Sequence, residues 1–170
     1  YTSYTITVRA TDGGEYTYPV STKSYKPGDL VRVTPGDTTQ VKRLTTTSLT
    51  GKVNAAGTRI GDYTLANDVE ILDVYGESGA VKIYPNRIAG VELTGSMVKF
   101  YATNTQGEIT HLILNDVTGD CHTYGILTSV SEVDAGMTVM GSYTFDVAGS
   151  QITYVNQNGV FGISQGPCQI

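Results

Sequence analysis

Two alternating segments joined by a glycine-rich turn, Tyr4-Thr-Ile-Thr-Val-Arg9 and Glu15-Tyr-Thr-Tyr-Pro-Val20, decide the kind of fold that this chain adopts. β-Branched and aromatic residues dominate both segments, and apolar and polar side chains alternate along them, which is typical of half-buried strands. Asp12-Gly-Gly14 lies between them. Because Asp-Gly between alternating segments is a strong signal for a hairpin, the chain is predicted to begin as antiparallel β-structure.

Two further hairpins and several short strands are predicted along the rest of the chain. The second hairpin pairs Leu30–Val33 with Gln40–Leu44, and the third pairs Met97–Ala102 with Glu108–Leu114. Turn residues bound each of these segments. The remaining predicted strands are Leu49–Asn54, Thr58–Ile60, Tyr63–Leu65, Val69–Val74, Ser142–Val147, Gln151–Val155 and Val160–Ile163.

The composition agrees with an all-β fold. The chain of 170 residues has 20 Gly, 12 Tyr and no Trp, and only 16% of its residues are charged. This composition fits a protein with frequent turns and many residues that suit a pleated surface, whereas a helical domain would contain more Ala, Leu, Glu and Lys. One short helical turn is predicted at Asn86–Gly90, where Ile88 packs inward.

An internal repeat indicates two copies of one β module. Gly28-Asp-Leu-Val-Arg-Val33 returns as Gly95-Ser-Met-Val-Lys-Phe100, and Gln40-Val-Lys-Arg-Leu44 returns as Glu108-Ile-Thr-His-Leu112. A fixed period of this kind marks a modular array. We therefore predict two tandem, small β-barrel or sandwich-like modules, in which the second and third hairpins superpose.

The expected modules are residues 1–75 and 76–170. Within the second module, Ser142–Val147 echoes Ser3–Val8, so residues 142–170 resemble the start of a further repeat. We expect those residues to supply the second module with the strands that residues 3–20 supply to the first.

Charge and hydropathy exclude some classes of function. The net charge is −5 and the isoelectric point about 4.8, while nucleic-acid binding needs clustered positive charge. Apart from Lys42-Arg43, the basic residues are scattered singly. No apolar segment reaches the length of a membrane span. We therefore predict neither nucleic-acid binding nor membrane insertion.

Two histidines and a cysteine are the first candidates for a metal or catalytic site. His111, Cys121 and His122 match no compact zinc pattern, which needs four ligands at paired short spacings. His111 occupies the position of Arg43 in the first copy, which indicates a solvated strand face. No acid is expected beside either histidine to orient its ring.

The state of the two cysteines stays open at the sequence level. A disulfide between Cys121 and Cys168 would stabilise the fold by about 4 kcal/mol on the chain-entropy model. The repeat aligns Cys121 with Val53, and Cys168 with Leu30 or Val31. These look like apolar core positions, where a free Cys behaves as a small hydrophobe. We favour buried free thiols over a bridge.

The acidic residues form no site that the sequence can define. Asn115–Asp120 resembles a calcium loop but lacks the remaining ligands of an EF-hand, and its first-copy counterpart ends in Lys52. Glycoside hydrolysis needs two acids in a cleft, and Asp68, Glu70 and Asp73 cluster in sequence. Because Glu70 alternates with apolar neighbours, it is expected to point outward. The acids in general are expected in turns and on outward strand faces.

No hydrolase nucleophile motif or phosphate-binding glycine loop is present. We therefore predict no catalytic residue, no cofactor and no metal site, and the binding residues stay unknown. The tyrosines are the best candidates for binding, because exposed rings can stack on sugars. Most of them are expected to be half-buried on strands, with the hydroxyl at the surface.

Two segments carry a resemblance to a known class of proteins. Asp68-Val-Glu-Ile-Leu-Asp-Val-Tyr75, and Gly107–Asp120 followed by Tyr124-Gly125, resemble the extracellular β-repeat regions of bacterial proteins that carry S-layer homology domains. The resemblance implies an exported, secreted protein of the Gram-positive cell wall or S-layer, located at the cell surface. It transfers no catalytic or binding residue.

The sequence thus predicts a non-catalytic structural or adhesive role in the bacterial cell envelope. Its expected partners are neighbouring modules of the same full-length protein. The alternative is a carbohydrate-binding module that recognises cell-wall or extracellular glycan, and this alternative predicts a row of exposed tyrosines on one sheet face.

Overall fold

The computed structural model describes residues 3–135, 138–156 and 166–169. Strands make up 53% of the chain, and the described residues contain no α-helix, so the all-β prediction is confirmed. The contacts divide the chain into two compact units, residues 1–121 and residues 122–170. No helix among the described residues is long and apolar enough to span a membrane.

The described residues form fifteen strands and two short 3₁₀ helices. They are β1 Tyr4–Arg9, β2 Glu15–Val20, β3 Val31–Thr34, β4 Gln40–Arg43, β5 Gly51–Lys52, β6 Arg59–Ile60, β7 Tyr63–Tyr75, β8 Gly79–Ile83, η1 Pro85–Ile88, β9 Glu92–Leu93, η2 Gly95–Met97, β10 Val98–Thr103, β11 Ile109–Asn115, β12 Tyr124–Ala135, β13 Thr138–Val147, β14 Ser150–Asn156 and β15 Gly166–Gln169.

The main sheet of the first unit is built around the long strand β7. Its strand order is β10-β11-β7-β6, and β8 also pairs with β7. The strands run antiparallel except for β11, which pairs with β7 in parallel, with Leu112 opposite Ile71. The sheet curls into half a barrel. Strand β7 therefore fixes the position of three neighbouring strands, β6, β8 and β11.

The concave side of this sheet holds the hydrophobic core. Twelve buried aliphatic residues form one cluster, and they come from the sheet, from η1 and from the segments around β5 and β9: Leu49, Val53, Ile60, Leu65, Ile71, Ile83, Ile88, Leu93, Val98, Ile109, Leu112 and Leu114. Burial of this apolar surface is the main term that holds the unit together.

Short pairings close the open side of the half-barrel. Strand β5 pairs with β9, and the backbone N–H of Val53 donates to the carbonyl of Val91 at 2.9 Å. Thr47 covers the edge of β10, because its N–H donates to Lys99 and its hydroxyl accepts the N–H of Tyr101. These bonds pair backbone groups that an open sheet edge would leave unsatisfied.

Two antiparallel ribbons complete the first unit. Strands β1 and β2 pair from Tyr4 opposite Val20 to Arg9 opposite Glu15, and β3 pairs with β4. Both hairpins were predicted, and the residue limits of β1 and β2 agree with the prediction. The predicted helical turn is also present as η1, which begins at Pro85 and buries Ile88 completely.

The second unit is a four-stranded antiparallel sheet in the order β14-β13-β12-β15. Leu127 and Phe145 are its buried residues within the part of the chain whose side chains are described. The predicted strands near residues 142–147 and 151–155 lie in β13 and β14, which pair as a hairpin. The predicted strand Val160–Ile163 lies outside the described residues.

The strand pairing does not reproduce the predicted repeat. Val31 pairs with Arg43 in the second hairpin, whereas their counterparts Val98 and His111 pair with other residues of the third hairpin. The register of that hairpin shifts at bulges, the first of which follows Val98. The repeated segments are therefore strands of similar composition that pair in different registers. The prediction that the second and third hairpins superpose was wrong.

The predicted strands at residues 63–65 and 69–74 are one continuous strand, β7. The expected module border after residue 75 falls at the turn of a hairpin, because Tyr75 pairs with Gly79 as β7 continues into β8. The contacts divide the chain between residues 121 and 122.

Two glycines offer a matched test of this packing. Gly57 and Gly107 both have positive φ, but a Cβ at Gly57 would lie 3.1 Å from the carbonyl oxygen of Pro85, while nothing lies within 4 Å of one at Gly107. We expect Gly107→Ala to lower the free energy of unfolding by about 1–2 kcal/mol through backbone strain alone. Gly57→Ala should cost about 1–3 kcal/mol more, because backbone must move. Urea unfolding of both variants measures the difference, and equal losses would contradict the described contact.

Candidate functional site

A buried carboxylate lies at the end of the parallel strand pair. Asp73 of β7 has no solvent exposure. Its Oδ1 accepts the N–H of Val117 at 3.0 Å, and its Oδ2 accepts the N–H of Thr118 at 2.8 Å and the hydroxyl of Thr118 at 2.6 Å. A buried acid without such donors would cost several kcal/mol. Asp73 therefore anchors the loop that follows β11.

The same loop is held from its other side by an arginine. Arg87 of η1 donates to both carboxylate oxygens of Asp120, at 2.9 and 3.1 Å, and to the carbonyl of Thr118 at 3.0 Å. Its hydrogen bonds keep the pKa of Asp120 below its usual value. This is the loop that resembles a calcium site in sequence, and the acid at its end binds a guanidinium here.

Cys121 completes this cluster as a free thiol. It is half-buried, and its S–H donates to the backbone carbonyl of Asp73 at 3.2 Å. Burial raises the pKa of the Cys121 thiol, and the nearby acids Asp73, Asp116 and Asp120 raise it further. A reactive cysteine needs the opposite environment, because the thiolate is the nucleophile. The free state of Cys121 was favoured from sequence, and the side chain of Cys168 lies outside the described residues.

His111 lies beside an acid, contrary to the sequence-based expectation. Its Nε2 is 3.8 Å from Oε2 of Glu70 on the parallel neighbour β7, and its Nδ1 is 2.9 Å from the hydroxyl of Thr110. The same Glu70 oxygen accepts the hydroxyl of Thr11 at 2.6 Å. Glu70 does point away from the core cluster, but the turn between β1 and β2 contacts it. His111 is about as exposed as Arg43, at 47% each, as the repeat predicted.

His122 contacts an aromatic neighbour. Its ring lies edge-on to that of Tyr124, with centroids 6.4 Å apart. Within the ranges that the structure describes, no three His, Cys, Asp or Glu side chains meet in a way that could hold a metal ion. The three residues considered for a metal site are therefore not brought together.

The tyrosines separate into two groups. Tyr4, Tyr18, Tyr25, Tyr63 and Tyr101 are half-buried, and the rings of Tyr63 and Tyr101 meet edge-on at 5.7 Å. Among the tyrosines whose side chains are described, the exposed rings are Tyr16, Tyr75, Tyr84 and Tyr124, and Tyr84 is the most exposed of these, at 65%. It lines a cleft of about 420 Å³ together with Asn67, Asp68, Glu70 and Lys82.

A second cleft lies against the face of the main sheet opposite the core cluster and has a volume of about 570 Å³. Leu72, Val74 and Ile113 of the sheet line one side of it, and β1 with residues 25–31 lines the other. Clefts of 300–1,000 Å³ are the usual size of ligand sites. This cleft, which we call the β1 cleft, is the candidate binding site of the first unit.

Ion pairs neutralise part of the charge around the β1 cleft, whose lining also includes Lys26, Glu77 and Lys99. Arg9 pairs with Glu15 at 3.0 Å. Arg43 binds Asp29 at 3.0 Å and lies over the ring of Tyr25, with its guanidinium carbon 4.9 Å from the centroid. The segment at residues 24–29 is thereby fixed beside β4.

The buried acid at position 73 was missed by sequence reasoning, although a signal was present. Val69, Ile71 and Asp73 share one face of a strand, because side chains alternate with a period of two. The same alternation that predicted an outward-facing Glu70 therefore also predicted an inward-facing Asp73. The partners in the loop at 117–118 could not be inferred, because they come from the parallel neighbour of β7.

Comparison of this chain with protein-family models, with curated proteins and with solved structures gave no match.

We expect Asp73→Asn to lower the free energy of unfolding by about 2–4 kcal/mol, because an amide nitrogen replaces one acceptor and leaves buried donors unpaired. Asp68→Asn, on the exposed part of the same strand, is the matched control and should change stability by less than about 0.5 kcal/mol. Chemical denaturation measures both. Equal stability of the two variants would show that Asp73 is not an anchor.

The raised pKa of Cys121 predicts a slow thiol. In a Cys168→Ser background at pH 8, Cys121 should react with iodoacetamide more slowly in the folded protein than in urea, because less of it is thiolate and it is half-buried. Mass spectrometry of the alkylated protein over time gives both rates. A folded rate equal to or above the rate in urea would be inconsistent with the described environment.

Proposed function

We propose that this chain is a non-catalytic structural or adhesive segment of an exported bacterial cell-envelope protein associated with the S-layer. A structural role is supported by the contacts that the carboxylates and the thiol of the candidate site make within the fold. Asp73 accepts three hydrogen bonds from a loop, Asp120 binds Arg87, and the thiol of Cys121 donates to a carbonyl. Each of these contacts stabilises the fold.

The proposed location rests on the sequence. The segments at residues 68–75 and 107–120 resemble the extracellular β-repeat regions of proteins with S-layer homology domains, and the chain is rich in Tyr and Gly with two cysteines. A β-rich segment with consecutive compact units suits an array in which each unit contacts its neighbours. Neighbouring modules of the same protein are the proposed partners.

Recognition of cell-wall or extracellular glycan is the alternative, and the exposed Tyr84 favours it. The ammonium of Lys82 lies 5.4 Å from the centroid of the Tyr84 ring, and Asn67 and Asp68 line the same cleft. An exposed ring beside polar side chains offers both stacking and hydrogen bonding to a sugar.

Surface labelling tests the proposed role. Antibodies raised against the purified chain should label intact cells of the organism that encodes it, because an envelope protein is accessible from outside. An antibody against a ribosomal protein serves as the control and should label permeabilised cells alone. If the antibodies against the chain label cells only after permeabilisation, as the control antibody does, the proposed location is contradicted.

A glycan array separates the two roles. Under the structural proposal, the purified chain and its Tyr84→Ala variant give the same background signal. The alternative would be favoured if the wild-type chain binds a defined glycan and this binding is lost in Tyr84→Ala but kept in Tyr75→Ala. Tyr75 is the control because it is 53% exposed and does not line the cleft that contains Tyr84.

A further inference from the structure

Strand β1 presents its edge to the β1 cleft. Five consecutive residues of this strand, Thr5–Arg9, line the cleft, whereas β2 contributes Glu15 and β7 contributes the alternate residues Leu72 and Val74. A strand that shows one face contributes every second residue, because neighbouring side chains point to opposite faces. Strand β7 therefore faces the cleft with side chains, and β1 faces it with its backbone.

Within the part of the chain that the structure describes, one edge of β1 has no partner strand. There β1 pairs with β2 and with no other strand. The backbone hydrogen bonds that join described residues outside the strand ladders include none from Tyr4–Arg9. In an antiparallel pair, alternate residues direct N–H and C=O away from the partner strand. A row of backbone donors and acceptors thus borders a cleft that is large enough to admit a ligand.

The side opposite this row is apolar. Leu72, Val74 and Ile113 come from the main sheet, and Ala80 from β8 adds a small side chain beside them. An extended segment bound along β1 would turn every second side chain toward this surface. Arg9–Glu15 and Asp29–Arg43 are ion pairs, and the lining also contains the charged residues Lys26, Glu77 and Lys99. The backbone row of β1 and the apolar side are the surfaces that an extended segment would contact along its length.

We infer that the β1 cleft binds an extended peptide segment of another polypeptide, which adds to β1 as a third strand. Apolar side chains at alternate positions of the segment contact Leu72, Val74 and Ile113. The row of backbone groups identifies the ligand as a peptide strand, because an extended backbone matches it group for group. The cleft volume of about 570 Å³ suits one short segment.

This inference goes beyond the proposed structural role, and it does not depend on where the protein resides. A segment captured from a neighbouring protein would join two chains through main-chain hydrogen bonds, with specificity from the side chains that enter the apolar side. It would also cover a strand edge that is open to aggregation.

Selection from a displayed library of random peptides of about eight residues, the length of an ordinary strand, tests the inference. The wild-type chain should retain peptides with apolar residues at alternate positions. Ala80→Arg, which fills the cleft, should abolish retention. Thr103→Arg is the control, since Thr103 is an exposed strand residue that does not line the cleft. Thermal unfolding checks that both variants are folded.

N-methylated forms of the best selected peptide give a second test with the wild-type chain, which does not depend on the folding of Ala80→Arg. Methyl groups on the amides of one edge should weaken binding about tenfold or more, because each lost hydrogen bond costs about fivefold. Methyl groups on the amides of the other edge should change affinity by less than about twofold. Hydrogen exchange of the Thr5–Arg9 amides should slow when the unmodified peptide binds.

Three results would overturn the inference. The first is a library that yields no peptide retained by the wild-type chain, or one retained equally by folded Ala80→Arg. The second is that methylation of either edge of the peptide weakens its binding equally. The third is a concentration-dependent dimer of the wild-type chain in sedimentation velocity that is absent in Ala80→Arg, because a second copy would then occupy the cleft.

Discussion

The hydrogen bonds accepted by the buried Asp73 carboxylate are the constraint on which the half-barrel depends. Strand β7 places this acid on the core side of the sheet, where it must find donors or destabilise the fold. Val117 and Thr118 supply them, and Arg87 holds the same loop through Asp120. The loop after β11 is thus fixed to the strand that β11 pairs with in parallel. One acid therefore links the end of the sheet to the η1 segment that closes the core.

The same strand explains why the convex side of the sheet is available for binding. Alternate residues of β7 face the core cluster, while Glu70, Leu72 and Val74 face the opposite side. There Glu70 binds Thr11 near the turn of the β1–β2 hairpin, and Leu72 and Val74 line the β1 cleft. A sheet covered on both faces needs apolar residues at successive positions, which β7 has at Ile71 and Leu72. The hairpin covers part of that second face and leaves the rest open.

Local patterns predicted the parts of this fold that depend on neighbours in sequence. The alternation and the Asp-Gly turn located β1 and β2, and the position of Ile88 in a helical turn was also correct. The parallel pairing of β7 and β11 joins residues about forty positions apart, and no turn signal records such a contact. The candidate site was missed for the same reason, because the β1 cleft is formed by several segments distant in sequence. The repeat was misleading since similar strands can pair in different registers.

Hydrogen exchange at the amides of the anchored loop tests the central claim most directly. The amide of Thr118 donates to the buried carboxylate of Asp73, while that of Gln106 donates to the side-chain oxygen of Asn104 in an exposed turn. Both amides bind a side-chain oxygen, so they differ mainly in burial and in the stability of the acceptor. NMR-detected exchange should show Thr118 protected as strongly as the strand amides of β11, and Gln106 exchanging fast. A Thr118 amide that exchanges as fast as that of Gln106 would contradict the account.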